Sequence, residues 1–95
     1  MNTSSCTARK AENGRCEKPG DFYFFHQQEA PGRSTQYISL MLPDGTHNCL
    51  PVVQGPAAGR AWGWDGNSEA PTLSPSIHCL GHWHGHLQAG EFKSV

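Results

Sequence analysis

The chain has 95 residues, with seven Lys and Arg against eight Asp and Glu and a formal net charge of −1. A chain of this length forms one domain with a small core, which a bound metal, a disulfide or a partner chain would help to stabilise. The near-neutral charge argues against nucleic acid as a ligand, because nucleic-acid binding depends on clustered basic residues. No apolar run reaches the ~18 residues of a membrane span and no signal peptide is evident, so we expect a cytoplasmic protein with reduced cysteines that does not bind membranes.

The first 20 residues differ in composition from the rest of the chain. They are rich in Ser, Thr, Lys, Glu, Gly and Asn and show no hydrophobic periodicity, which predicts a flexible arm over residues 1–20. Residues 21–95 are predicted to form a single domain. Because no segment carries a long helical stripe, this domain is expected to be mostly β, a small antiparallel sheet or a partly open barrel or sandwich with little helix.

Strand patterns begin immediately after the arm. The aromatic run at 22–25 predicts a strand, and a loop is expected over 27–35. Residues 37–42 and 47–53 predict two further strands, which a tight Asp-Gly turn joins because glycine adopts a positive φ. Two prolines exclude a helix interior from residues 71–76, which are expected to run extended.

Three tryptophans and one aspartate form a candidate binding surface. Trp62 and Trp64 flank a glycine, so in a strand both indoles point to the same side. Such a pair is either part of the core of a small domain or a platform for a ligand, and the sequence leaves both alternatives open. Together with Trp83 and Asp65, the pair is the predicted contact surface if the domain binds a partner or a second copy of itself.

Four of the six histidines fall within nine residues, 78–86. His82, His84 and His86 alternate, so a strand would project all three from one face, where their imidazoles could converge on one ion of zinc, copper, nickel or iron. The predicted metal ligands are these three residues and four others that the fold could bring beside them: His82, His84, His86, Cys79, His78, Cys49 and His47.

Two enzyme interpretations use the same cluster. In the first, an ion with an open coordination position activates water and Asp65 or Glu91 acts as general base. Two alternating histidines followed by Glu91 also match the first half of the cupin signature, although no second cupin motif follows. In the second, Cys49 or Cys79 is a nucleophile with His84 and the carboxylate of Asp65, but no local motif brings these residues together. The sequence therefore assigns no catalytic residue.

Three blocks in fixed order carry a resemblance to a known domain family. They are Trp-Gly-Trp-Asp-Gly-Asn at 62–67, Pro-Thr-Leu-Ser-Pro-Ser-Ile at 71–77 and His-Trp-His-Gly at 82–85. Over residues 20–95 the chain resembles a small phage and prophage domain family of unknown function, whose members are often labelled ammonia monooxygenase. The resemblance implies a compact β-rich domain. Because many members carry an early cysteine knuckle, it also implies a zinc site.

The chain departs from this family at the knuckle, because residues 38–53 hold only His47 and Cys49. In the later block, His84 matches a recurrent histidine and Trp83 stands where many members have cysteine. The resemblance therefore suggests His82 as the substitute ligand, and any zinc ion is expected to depend on the later cluster.

We expect from these observations a small phage-encoded accessory protein, stabilised by zinc, that acts in the host cell cytoplasm. Its predicted partner is a host or phage protein, and its predicted effect is inhibition of host or defence machinery. Binding is expected rather than turnover, since no complete catalytic constellation is evident. Two alternatives stay open: a metal-dependent enzyme with a histidine-ligated ion, and a self-associating or virion-related homo-oligomer.

Overall fold

A computed structural model describes residues 5–12 and 14–94 of the chain, and residues 1–4, 13 and 95 lie outside the described part. That part forms ten strands and no helix, and therefore no helix that could cross a membrane. The mostly β fold predicted from the sequence is confirmed. The strands are β1 (Ser5–Thr7), β2 (Arg9–Lys10), β3 (Asp21–Ala30), β4 (Arg33–Met41), β5 (His47–Gln54), β6 (Trp62–Trp64), β7 (Leu73–Ser74), β8 (Ile77–Cys79), β9 (Trp83–Gln88) and β10 (Glu91–Ser94).

The strands form two sheets. The smaller sheet has the order β1-β10-β9-β8 and is antiparallel throughout. The larger sheet has the order β2-β3-β4-β5-β6-β7, with parallel pairing of β2 with β3 and of β5 with β6. The chain passes from β7, the last strand of the larger sheet, to β8, the last strand of the smaller one, through a cis peptide bond between Ser74 and Pro75. The connection between the sheets is therefore only two residues long, Pro75 and Ser76.

The hairpin of β4 and β5 confirms the tight turn predicted between residues 42 and 47. Met41 pairs with His47 at its base, and the backbone N–H of Leu42 donates to the carbonyl oxygen of Thr46 at 2.7 Å. Gly45 has a φ of 92°, a conformation that glycine adopts without the steric cost of a Cβ.

The preceding hairpin is longer than expected. The loop predicted over residues 27–35 is wrong at both ends, because β3 continues to Ala30 and β4 begins at Arg33. Gly32, with a φ of 76°, makes the short connection sterically easy. The polar residues that suggested a loop are instead the exposed ends of two paired strands.

Part of the expected arm contributes strands to both sheets. β1 pairs with β10 in the smaller sheet, and β2 pairs with β3 in the larger one. Between them, Ala8 is only 7% exposed and its N–H donates to the carbonyl oxygen of Gly90 at 2.8 Å. Residues 5–10 therefore differ from the expected flexible arm, because main-chain pairing holds them although they lack hydrophobic alternation. Residues 1–4 and 13 of that arm, and residue 95 of the expected domain, lie outside the described part.

One hydrophobic core joins the two sheets. The rings of Trp64 and Phe24 pack in a tilted arrangement with centroids 4.4 Å apart, and Trp83 meets Phe92 edge to face. The core includes Leu73 of β7 and Ile77 of β8, so both ends of the short connection between the sheets are anchored in it. The buried hydrophobic residues are Ala8, Phe22, Ile38, Leu40, Leu42, Leu50, Val52, Trp64, Leu73, Ile77, Leu87 and Phe92.

Asp21 anchors the segment that precedes β3. Its carboxylate accepts hydrogen bonds from the backbone N–H groups of Glu17 at 2.9 Å and Lys18 at 3.0 Å, and Arg9 lies 3.8 Å away. Burial is the largest single influence and raises the pKa of Asp21. The two hydrogen bonds and the charges of Arg9 and Lys18 outweigh it, so the pKa is lower than its ordinary value.

Replacing Asp21 by asparagine is expected to destabilise the fold in a pH-dependent way. A lowered folded-state pKa contributes stability that is complete above the unfolded-state pKa of 3.8 and is lost as the pH falls through the folded-state value. Urea unfolding should show Asp21→Asn less stable than the unmodified chain at pH 7. The difference should shrink below that pKa, whereas a constant difference across this range would contradict the assignment.

Candidate active site

A serine and a histidine meet on the outer face of the smaller sheet. Ser76 lies one residue before β8, and His84 is the second residue of β9. Ser76 Oγ is 3.2 Å from His84 Nε2, within the range of a hydrogen bond between a nucleophile and its base. When Nε2 carries no proton, the serine hydroxyl donates to it.

The register of β8 and β9 produces this pair. His78 lies directly opposite His84, and their rings stack with centroids 4.2 Å apart and an interplanar angle of 22°. Ser76 precedes His78 by two residues, so in extended backbone its side chain lies on the same face. The histidine stack therefore limits where the His84 ring can turn.

The main chain of Ser76 is held from the larger sheet. Trp62 Nε1 donates to the carbonyl oxygen of Ser76 at 3.3 Å, across the junction between the two sheets. Because β8 is the terminal strand of its sheet, no further described strand covers this side of the pair. Ser76 is half-buried and His84 is exposed, so a substrate from solution can reach both.

The face of β9 opposite His84 is buried and holds the strand in place. His84 and His86 are exposed, whereas Gly85 and Leu87 between and after them are buried. A Cβ on Gly85 would lie 2.5 Å from carbon atoms of the Trp83 indole and would also collide with the carbonyl oxygen of Lys93. Glycine is therefore required beside His84, because the Trp83 ring crosses over this position.

Replacing Gly85 by alanine is expected to destabilise the protein by about 1–3 kcal/mol, because the ring and the neighbouring strand must move. For a domain of this size, each kcal/mol lowers the melting temperature by roughly 4–8 °C. Gln88→Ala, at an exposed position of the same strand, is the matched control and should melt within about 3 °C of the unmodified chain. Equal melting of Gly85→Ala and this control would contradict the close packing.

A second serine and histidine pair lies in the larger sheet. Ser39 Oγ is 2.6 Å from His47 Nε2, and Cys16 Sγ lies 3.9 Å from the same hydroxyl. Ser39 is 0% exposed in the middle of β4. A substrate carbonyl has no access to this hydroxyl, so the pair is a structural contact and not a nucleophile with its base.

The seven predicted metal ligands do not converge on one point. β9 begins at Trp83, so His82 lies in the preceding turn and not in the strand. Its Nδ1 is 3.9 Å from Asp44 Oδ2. The backbone N–H of Thr46 lowers the pKa of the Asp44 carboxyl most strongly, and His82 acts in the same direction. The expected alternation therefore holds for His84 and His86 alone.

Of the other predicted ligands, His78 stacks on His84, whereas Cys79, His47 and Cys49 are separated from it by strand parity or by sheet. Cys79 packs against the core, on the side of β8 opposite His78, and His47 and Cys49 lie on β5 of the larger sheet. Within residues 5–12 and 14–94, no group of three or more His, Cys, Asp or Glu side chains is placed to hold a metal ion. Zinc binding stays a prediction that these contacts do not test.

The predicted cysteine nucleophiles are not paired with His84. Cys79 faces the core, and Cys49 is exposed on the other sheet. Cys16 Sγ lies 3.9 Å from the Ser39 hydroxyl of the buried pair, but burial raises the pKa of its thiol, which disfavours the reactive thiolate. Asp65, one of the two expected general bases, accepts hydrogen bonds from the backbone N–H groups of Asn67 and Thr72 and so stabilises a turn.

The tryptophans lie in or against the core and do not form one exposed surface. Trp64 is 8% exposed, and Trp62 and Trp83 are half-buried against the same core. Their N–H groups donate to the carbonyl oxygens of Ser76 and Asn67 and to the hydroxyl of Ser94. Of the two alternatives for the indole pair, the structure favours the core, because large rings fill the space between the two sheets.

A family model described as bacterial ubiquitination-like system serine protease (BubE) matches residues 9–95, which include Ser76 and His84. The chain belongs to the BubE family. Comparison of this BubE-family chain with curated proteins and with solved structures yields no match. The BubE match does not address the resemblance to the phage domain family, which stays a prediction.

Ser76 was not predicted from the sequence of this BubE-family chain as a candidate site residue. Cysteines were the candidate nucleophiles and the histidines were candidate metal ligands, although the block at 71–77 contains Ser76 and the block at 82–85 contains His84. The sequence feature that could have indicated Ser76 is its position in an extended segment shortly before the histidine-rich residues 78–86. Only the register of β8 and β9 shows which histidine the serine meets.

Proposed function

We propose that the chain is a serine protease in which Ser76 is the nucleophile and His84 is the general base. The observation that carries this proposal is the 3.2 Å separation of Ser76 Oγ and His84 Nε2 at an accessible position. The family description, a serine protease, supports a serine nucleophile within the matched residues 9–95. Ser39 and His47 in the larger sheet are not an alternative catalytic pair, because Ser39 is fully buried.

The reaction follows from the two side chains. Ser76 Oγ attacks the carbonyl carbon of the scissile amide while His84 Nε2 accepts the hydroxyl proton. His84 then donates this proton to the leaving amine, and an ester between Ser76 and the acyl part of the substrate remains. A water molecule, deprotonated by His84, attacks the ester and releases the acid together with free Ser76.

His78 is a positioning residue in this scheme. Its ring stacks on the His84 ring at 4.2 Å and does not contact Ser76 in the described hydrogen bonds. A fixed imidazole plane keeps Nε2 directed at the hydroxyl, which matters because proton transfer depends on a short and aligned contact. The stack therefore supplies part of the orientation that a buried carboxylate supplies in a catalytic triad.

A protein is the substrate class that best fits the position of the pair. Ser76 and His84 lie on an open sheet face beside its terminal strand and not in an enclosed cavity, so a large substrate can approach them. The family description refers to a bacterial ubiquitination-like system. We propose accordingly that the bond cleaved is a peptide or isopeptide bond in a protein of such a system.

Acylation by an activated ester tests the proposed chemistry without knowledge of the natural substrate. With p-nitrophenyl acetate, we expect ester hydrolysis that depends on Ser76 and an acetylated chain visible by intact mass spectrometry. Ser76→Ala is the blank, because exposed histidines also react slowly with such esters. Equal hydrolysis by the unmodified chain and the blank would contradict the proposal.

The other interpretations of the sequence stay predictions. Other measurements are needed to test the remaining predictions: a phage-encoded accessory protein, a host or phage partner, self-association and a stabilising zinc ion. The family match supports a role within a bacterial ubiquitination-like system more directly than inhibition of host machinery. None of these predictions is needed for the Ser76 and His84 chemistry.

A further inference from the structure

A cavity lies next to the proposed nucleophile. It has a volume of about 250 Å³, suited to one side chain more than to a whole ligand. Its walls are mainly nonpolar, with a single cationic side chain among them. The lining residues are Ala57, Gly59, Arg60, Ala61, Trp62 and Pro75.

Two of the lining residues connect the cavity to Ser76 directly. Pro75 is its neighbour in the chain, and Trp62 donates from Nε1 to its carbonyl oxygen at 3.3 Å. The cavity therefore adjoins the main chain of Ser76, on the side of Pro75 and Trp62. Neither Ser76 nor His84 lines this cavity, so its residues take no part in the proposed proton transfer and are available to contact the substrate.

The remaining wall is a small loop held in a defined shape. Ala58 and Ala61 exchange backbone hydrogen bonds at 2.9 and 3.3 Å, which closes a tight turn over Gly59 and Arg60. The loop rests on Gly63, where a Cβ would lie only 2.6 Å from the carbonyl oxygen of Gly55. The missing side chain at Gly63 lets the loop approach β6 closely.

We infer that this cavity binds the side chain of the substrate residue that supplies the scissile carbonyl, and that it selects a nonpolar side chain over glycine and over a basic one. The inference rests on the proposed function. Nonpolar walls favour a nonpolar side chain because its burial removes apolar surface from water. The charge of Arg60 disfavours Lys and Arg there, since like charges repel at short range.

A series of activated esters measures this selection. The p-nitrophenyl esters of N-acetyl-glycine, N-acetyl-leucine and N-acetyl-lysine differ only in the side chain next to the reacting carbonyl. We expect kcat/KM for the leucine ester to exceed that for the glycine ester by about tenfold or more, as nonpolar pockets typically discriminate. The lysine ester should be the poorest of the three, and rates are corrected with Ser76→Ala.

Variants of the loop show whether the cavity is the cause. Ala57→Phe fills the cavity and should reduce the leucine-to-glycine ratio to about 1–2, the level expected when side-chain selection is lost. Ala58→Phe adds the same ring at an exposed neighbour outside the lining and should keep the full ratio. Arg60→Glu should raise kcat/KM for the lysine ester relative to the leucine ester.

The outcomes separate this inference from the proposed function. Ser76-dependent hydrolysis with equal rates for the three esters would overturn the cavity assignment alone. The same ratio in Ala57→Phe and Ala58→Phe would also overturn it. If no ester is hydrolysed in a Ser76-dependent way, the proposed function fails, and the inference that rests on it fails with it.

Discussion

Ser76→Ala is expected to abolish the serine-dependent part of ester hydrolysis and leave only the slow reaction of the exposed histidines, because removal of a serine nucleophile costs about 10⁴-fold or more of the catalysed rate. The structural consequence should be small, since the serine is half-buried and its hydroxyl contacts His84 on an open face. Hydrolysis of p-nitrophenyl acetate and circular dichroism melting of the same preparations measure the two effects together.

Two serine variants serve as controls for this result. Ser74→Ala changes an exposed serine two residues earlier, on the other side of Pro75, and should keep its activity. Ser39→Ala removes the hydroxyl of the buried pair and should retain Ser76-dependent hydrolysis at temperatures where it is folded. Loss of activity in Ser39→Ala with a normal melting curve would point to the other pair and overturn the assignment.

His84→Ala is expected to lower kcat by about 10²- to 10⁴-fold, the usual contribution of a general acid and base. His47→Ala is the matched control, because it breaks the other serine and histidine contact. Loss of activity in the His84 variant alone would assign the base. Equal losses in both variants would contradict it.

The melting temperature of His84→Ala distinguishes catalysis from a structural metal site. The exposed ring contributes little to stability, so melting within about 3 °C of the unmodified chain is expected. A histidine that held structural zinc would behave differently, because metal-binding energy is then folding energy. A large loss of thermal stability, reproduced in the unmodified chain by a chelator, would support the zinc prediction and count against the proposed role of His84 as general base.

His78 variants add a readout of ring orientation. His78→Phe keeps an aromatic ring for stacking on His84, whereas His78→Ala removes it. If His78 acts through orientation, activity falls in the alanine variant and is largely restored in the phenylalanine variant. Equal activity in both variants would show that the stack has no part in positioning the base.

Local sequence patterns predicted the strands whose partners are close in the chain. The hairpin at residues 42–47 follows from a glycine turn between two apolar segments, and both strands form there, although β4 begins earlier than expected, at Arg33. The sequence was less informative for residues 5–10, which join both sheets through main-chain hydrogen bonds. Such pairing leaves no hydrophobic pattern in a short polar strand, so it becomes visible only with its partners.

The histidine-rich segment was predicted to be the chemically important part of the chain and was interpreted as a metal site, which stays a prediction. Alternation correctly placed His84 and His86 on the exposed face of β9. It could not show that β9 begins after His82 or that Ser76 approaches His84. Serine is common in turns and extended segments, so its role as a nucleophile depends on one contact between neighbouring strands.

Identification of the residue modified by diisopropyl fluorophosphate tests the central claim most directly. This reagent phosphorylates a serine that an adjacent base activates, and peptide mass spectrometry locates the adduct. The account predicts one adduct per chain, on Ser76, with labelling strongly reduced in His84→Ala and retained in His47→Ala. An adduct on Ser39 or another residue, or peptide hydrolysis that continues with Ser76 unmodified and no adduct formed, would contradict it.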